Sequence, residues 1–220
     1  MNAATGDLFD DKGRSGRRDE CIADGAVLLP GFALDDALAL LKEIDGIVDN
    51  APYRHMQTPG GLRMAVAMTN CGSLGWISDR QGYRYAMHDP HSGRAWPALP
   101  GSFQHLAARA AERAGYSDFE PDACLINRYV PGTRLSLHQD RDERDYAQPI
   151  VSVSLGIPAT FLFGGMTRSD RCQRISLAHG DVVVWGGPAR LRFHGVLPLK
   201  VIEHAQLGAC RINLTLRKAG

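Results

Sequence analysis

The sequence has no apolar run approaching the roughly 18 residues that a spanning helix requires, which sets aside a membrane-crossing helix. Its first residues, Asp7, Asp10 and Asp11 followed by Arg14, Arg17 and Arg18, lack the apolar core of a secretory signal, so a cytoplasmic protein is expected. No Cys-x-x-Cys pair occurs and the cysteines number five. An odd, unclustered set excludes a disulfide framework and a zinc ribbon, leaving free thiols in a reducing compartment. Lysine is scarce: Lys12, Lys42, Lys200 and Lys218 stand among 25 basic side chains, and the rest are arginines, whose planar fork suits carboxylate or phosphate. Net charge is +1, so contact with nucleic acid must come from a local patch. There is no internal repeat.

What is present is enough for one domain with a sizeable core, since the chain has 220 residues. Residues 1–20 mix Gly, Asp, Arg and Lys and are expected to be a tail without a fold of its own. The single domain then occupies 21–220, with its first apolar segment at Ala26–Leu29. Leu34, Leu38, Leu41 and Ile44 fall at helical spacing behind Asp35 and Asp36, which predicts a helix over Leu34–Val48. Residues 50–100 are punctuated by Pro and Gly and carry Tyr53, Trp76, Tyr83, Tyr85 and Trp96. They read as a covering lid rather than a core layer, with a hairpin at Arg63–Asn70. A second helix is expected with Ser102 as its N-cap and Gly115 at its end.

From about residue 120 the period changes to short strands separated by turns: Cys124–Tyr129, Ile150–Leu155, Thr160–Phe163, Arg174–Leu177, Asp181–Trp185, Leu191–His194 and Cys210–Leu216. Strands without interleaved helices indicate a jelly roll rather than a parallel sheet. The expected fold class is mostly β with flanking helices (α+β): a double-stranded β-helix core preceded by a lid.

His138 and Asp140 are two residues apart, a spacing that points both side chains to one face of extended chain. His194, at the end of an expected strand, is placed where a jelly roll can fold it back beside them. Two imidazoles and one carboxylate then form one face of a metal. Such a triad suits non-haem Fe(II), leaving adjacent positions open; a zinc hydrolase centre with one open position is the rival. His55, His88, His91, His105, His179 and His204 are read as ordinary hydrogen-bonded histidines.

The C-terminal strand alternates strictly. Arg211, Asn213 and Arg217 share one face, and Ile212, Leu214 and Leu216 the other. Facing outward, the arginines are simply solvated. Facing inward, they need anions, because burying them unpaired costs several kcal/mol each. A dicarboxylate that also chelates the metal meets that need and favours iron over zinc.

The chain resembles the bacterial AlkB family of alkylation-repair dioxygenases, which use Fe(II) and 2-oxoglutarate. The resemblance rests on Met68-Thr-Asn-Cys-Gly72, Gly75-Trp76, Arg80-Gln-Gly-Tyr83, Asp122-Ala-Cys-Leu-Ile-Asn-Arg-Tyr129, Leu135-Ser-Leu-His-Gln-Asp140, Ile150–Leu155, Gly180–Gly187 and the Arg211–Arg217 strand, and it extends from residue 26 to the C-terminus. It implies that His138, Asp140 and His194 bind iron and that Asn127, Tyr129, Arg211, Asn213 and Arg217 hold 2-oxoglutarate, with Arg211 at the distal carboxylate. It further implies that O2 is consumed, that 2-oxoglutarate is decarboxylated to succinate, and that an N-methyl group is hydroxylated and leaves as formaldehyde.

The substrates so implied are 1-methyladenine and 3-methylcytosine in single- or double-stranded DNA, with RNA as a further partner. Both bases are cationic, so an aromatic face and a carboxylate are expected around them: Trp76 and Asp142, with His138 as the opposite wall. Tyr83, Arg168, Met68 and Thr58 complete the substrate set, and Arg134 and Arg141 join Arg168 in a phosphate-binding patch. After Pro59-Gly60-Gly61 this chain has Leu62 where the bacterial relatives carry an aromatic residue. Two other readings are a 2-oxoglutarate dioxygenase acting on a protein or small molecule, and a methylated-base binding module without turnover. A monomer is the expected state.

Overall fold

The computed structural model describes residues 18–220, so the expected tail lies almost wholly outside the described residues. Thirteen strands and two α-helices follow in chain order among the described residues: β1 Glu20–Ala23, β2 Ala26–Leu29, α1 Ala37–Asn50, β3 Ala67–Gly72, β4 Gly75–Asp79, β5 Gly82–Ala86, α2 Gly101–Arg113, β6 Ala123–Tyr129, β7 Leu135–His138, β8 Ile150–Gly156, β9 Ala159–Phe163, β10 Gln173–Leu177, β11 Val182–Trp185, β12 His194–Val196 and β13 Arg211–Arg217. A seven-stranded sheet has the order β1-β2-β11-β8-β13-β6-β3, a four-stranded sheet the order β10-β9-β12-β7, and β4-β5 form a separate hairpin. Every pairing is antiparallel, as a jelly roll requires.

The two-residue period of the large sheet divides the molecule into three layers. Val151, Val153 and Leu155 of β8, Val182 and Val184 of β11, and Ile212, Leu214 and Leu216 of β13 face the helices, where they pack on Leu40, Ile44 and Ile47 of α1 and Phe103 and Leu106 of α2. Each fully buried side chain of this size contributes about 2 kcal/mol. The alternate positions face the small sheet. There Val183 and Trp185 meet Phe161, Phe163 and Val196 in a second core, and this face also carries the polar residues of β13.

Several local expectations are corrected. Helix α1 begins at Ala37 rather than Leu34, and Asp36 makes no side-chain cap; its carboxylate instead meets Arg109 at 3.0 Å. The N-cap of α2 is Pro100, leaving Ser102 inside the first turn with its hydroxyl buried. Part of the expected lid is core: β3 forms the edge of the large sheet against β6, with Met68, Thr69, Asn70 and Cys71 buried. Arg63 and Met68 do not form a hairpin within Arg63–Asn70 but bridge antiparallel to Gln57 and Arg54, and the regular hairpin of the region is β4-β5, over Gly75–Ala86, with Gly82 at a positive φ in its turn. His194 opens strand β12 instead of ending a strand over Leu191–His194. All five cysteines are free, with Cys71, Cys124 and Cys210 buried and Cys21 exposed.

Candidate active site

His194 pairs directly with His138 across β12 and β7, so antiparallel register sets the two imidazoles side by side with ring centroids 4.3 Å apart. Gly195 permits this approach, since a Cβ there would lie 2.7 Å from the Leu135 carbonyl oxygen. Asp140 arrives differently. Strand β7 ends at His138, and the carboxylate comes round from the loop beyond it. Its Oδ1 lies 3.6 Å from His138 Nε2 and its Oδ2 lies 3.7 Å from His194 Nε2.

Each histidine is fixed by its own strand. Nδ1 of His138 lies 2.9 Å from the Ser136 carbonyl and Nδ1 of His194 lies 3.0 Å from that of Arg192. A carbonyl only accepts, so Nδ1 carries the proton and Nε2 turns its lone pair to the cluster. Burial, with His138 beside it, lowers the His194 pKa to about 4 and keeps the neutral, metal-binding form. Burial alone would raise the Asp140 pKa, but the Arg217 guanidinium and the two imidazoles hold this carboxyl well below the usual carboxylate range. The ligand atoms of His138, Asp140 and His194 all lie within 4.8 Å of one another, a donor set that fits one divalent cation.

The depressed His194 pKa has a testable consequence for the metal-free chain. The unfolded state takes up this proton near pH 6.5 and the folded state only near 4. Stability is therefore present above the unfolded value and is lost as pH falls through that window. Denaturant titrations in chelator should show a loss of about 2 kcal/mol from this group between pH 7 and 5. His194→Gln should remove that part of the slope; an unchanged slope would place the titration elsewhere.

Beside the cluster, the β6-β13 ladder sets Asn127 opposite Asn213 and Tyr129 opposite Arg211. All four are buried, so the C-terminal arginines face inward. Asn213 donates to Ser152 Oγ at 2.8 Å and to the Val153 carbonyl at 3.0 Å, and its Oδ1 accepts from Thr215. Arg211 donates through Nη2 to Ser154 Oγ at 3.0 Å, but its Nε and Nη1 are buried without a hydrogen-bond partner. Two orphaned guanidinium donors in a cleft fit the carboxylate of a bound anion, because leaving them desolvated and unpaired is costly. Arg217 is engaged differently, donating to Asp140 Oδ2 at 2.6 and 3.1 Å.

The expected metal, 2-oxoglutarate and substrate residues all line one cleft of about 690 Å³. On its outer wall Trp76 stacks with Tyr83, with centroids 5.7 Å apart and planes at 12°, and donates from Nε1 to Asp142 Oδ2 at 2.7 Å. Thr58 Oγ1 accepts from the Leu62 amide at 3.1 Å, and Leu62 itself lines the cleft with 73 % of its surface exposed. Arg168 donates to the Leu137 carbonyl and lies over Phe193. Tyr85 and Trp96 separate in role: Trp96 packs in a small core with Ala51 and Ile77, whereas Tyr85 reaches inward to Glu143. Sequence reasoning missed Glu143 and Arg190, which lie in loops without a period. It missed Ser152, Ser154 and Thr215 although strand alternation marks them.

Fold and site together define an oxygenase that binds Fe(II) and 2-oxoglutarate. The sequence profile of the 2OG-Fe(II) oxygenase superfamily matches residues 25–217. The alpha-ketoglutarate-dependent dioxygenase AlkB of Escherichia coli strain K12 is 57% identical over 201 residues, covering 91% of this chain and 93% of that protein. The DNA N(6)-methyladenine demethylase ALKBH1C of Arabidopsis thaliana is 30% identical over 236 residues, covering 94% of this chain and 50% of that one. Among solved structures, that of OsALKBH1 superposes with a TM-score of 0.79 at 28% identity, covering 91% of this chain and 100% of the other. The chain belongs to the AlkB family of the 2OG-Fe(II) oxygenase superfamily. It is an oxidoreductase whose cofactor is Fe(II) and whose cosubstrates are 2-oxoglutarate and O2. No helix among the described residues is long and apolar enough to cross a membrane.

Proposed function

We propose that this chain is an oxidative demethylase of N-alkylated bases such as 1-methyladenine and 3-methylcytosine in DNA, and also in RNA, working as a monomer in the cytoplasm. The observation that carries the reading is the Trp76–Asp142 pair, an aromatic face bonded to a carboxylate at 2.7 Å on the wall of the cleft that holds the His–Asp–His cluster. A flat cation is the ligand such a wall suits. A relative that is a DNA N(6)-methyladenine demethylase favours a methylated base in DNA as substrate.

In this reading His138, Asp140 and His194 hold the iron, and Asn127, Tyr129, Arg211, Asn213 and Arg217 hold 2-oxoglutarate, with Arg211 taking the distal carboxylate and Arg217 lying nearer the metal-bound end. Bound together, iron and 2-oxoglutarate activate O2 for insertion of one oxygen atom into a C–H bond, with release of succinate and CO2. The protein's share is positioning. Trp76 and Tyr83 receive an extruded or unpaired base, and a lesion that blocks pairing lowers the cost of extrusion. Met68 and Thr58 line the same pocket, and Arg168 serves the substrate backbone. The hydroxymethyl product then collapses in water to formaldehyde and the restored base.

The test is mass spectrometry of a single-stranded oligonucleotide carrying one 3-methylcytosine, incubated with the chain, Fe(II), 2-oxoglutarate and ascorbate. Loss of one methylene mass that depends on 2-oxoglutarate is expected. Consumption of 2-oxoglutarate without that loss would move the substrate to a protein or small molecule; no consumption at all would leave a binding module.

The charge of Asp142 supplies a finer prediction. Asp142→Asn keeps an acceptor for Trp76 but removes the charge, and should lower kcat/KM on 1-methyladenine about tenfold, or about 1.4 kcal/mol. The loss on uncharged 1-methylguanine should be much smaller. Equal losses on the two substrates would remove the electrostatic role.

A further inference from the structure

Asp140 is the one member of the cluster with no strand to hold it, since β7 ends at His138 and the next strand begins only at Ile150. A loop fixes a side chain only where side chains fix the loop. Here Arg190 does so at three points: Nη1 donates to the Asp140 carbonyl at 2.7 Å, Nη2 to Glu143 Oε2 at 3.0 Å and Nε to the Gln148 carbonyl at 3.1 Å. Arg190 is 3% exposed and its Glu143 partner 6%, so these contacts are sheltered from water.

Glu143 joins this clamp to the ligand's other end. Its Oε1 accepts from the Tyr85 hydroxyl at 2.6 Å and lies 3.3 Å from Arg217 Nε, while Arg217 grips the Asp140 carboxylate. Asp140 is thus held at its main chain by one guanidinium and at its side chain by another, with Glu143 between the two. Two buried carboxylates meet two buried guanidiniums, so the charges balance. Tyr85 lies in β5 of the hairpin that also carries Trp76 and Tyr83.

We propose that Arg190 and Glu143 are positioning residues for the metal centre, setting the place of Asp140 and anchoring the β4-β5 hairpin to it through Tyr85. The proposal rests on reading His138, Asp140 and His194 as the metal ligands. A lysine cannot replace Arg190, because one ammonium lacks the fork that reaches three acceptors in different directions. Outer residues of this kind commonly change metal affinity by about 10- to 100-fold.

Calorimetric titration of the metal-free full chain with Co(II) tests it without turnover or nucleic acid. The parent chain should bind one ion, and His194→Ala should abolish binding. Arg190→Lys and Glu143→Gln should each weaken Co(II) binding about tenfold or more at a temperature where circular dichroism shows them folded. Tyr85→Phe, the mildest change, should weaken it only a few-fold and serves if the other variants do not fold. A residue that merely stabilises the fold would lower the melting temperature and leave metal affinity unchanged. Co(II) affinity within twofold of the parent in every folded variant would overturn the proposal while leaving the metal site intact. No Co(II) binding by the parent, or binding undiminished in His194→Ala, would overturn the ligand assignment and the proposal with it.

Discussion

Replacing His194 with alanine is expected to lower turnover of a 3-methylcytosine oligonucleotide by at least about 10³-fold, or about 4 kcal/mol in the activation barrier. The size follows from the site. Three ligand atoms lie within 4.8 Å of one another, and removing one leaves only two donors for a cation. His194 is buried and sits opposite His138, and its Nδ1 is tied to the Arg192 carbonyl. No neighbouring imidazole on that strand can take its place. Residual activity above one per cent at saturating Fe(II) would show that the metal is held elsewhere.

Arg211→Met is expected to raise the concentration of 2-oxoglutarate required by about 100-fold, the loss of about 3 kcal/mol that a charge-assisted pair contributes. The same change should leave the chain without 2-oxoglutarate as stable as the parent or more so. Its Nε and Nη1 are buried unpaired, and replacing a desolvated guanidinium that has no carboxylate partner by an apolar chain of similar length removes a penalty larger than the Ser154 bond it gives up. Opposite signs for affinity and stability separate a ligand-binding arginine from a structural one. Arg217 donates to Asp140 and lies against Glu143, so its removal should also lower stability, because two carboxylates are then left buried without their cation. The checks are the 2-oxoglutarate dependence of succinate formation and urea unfolding of both variants. An unchanged 2-oxoglutarate requirement in Arg211→Met would assign the distal carboxylate to another residue.

Much of the site was legible because strands advertise their faces. The alternation of Arg211, Asn213 and Arg217 with Ile212, Leu214 and Leu216 separated a polar face from an apolar one, and the structure lays the apolar face against α1 and α2. Elements whose signals were local and weak read less well. The Pro and Gly around strand β3 point to lid, yet its pairing with β6 makes it an edge of the main sheet. The expected cap at Ser102 gave way to Pro100, whose fixed φ suits entry to the helix without a side-chain bond.

The sequence by itself determined that Arg211, Asn213 and Arg217 share a face, and which chemistry His138, Asp140 and His194 bear. Period two is a property of the extended backbone and needs no partner strand. Only the tertiary structure decided that the arginine face points inward, that Arg211 keeps free donors while Arg217 donates to Asp140, and that Arg190 and Glu143 hold the loop bearing Asp140. Those contacts join segments far apart in the chain through loops that carry no period. Their geometry exists only once β13 is inserted between β6 and β8 and the two sheets have closed on each other.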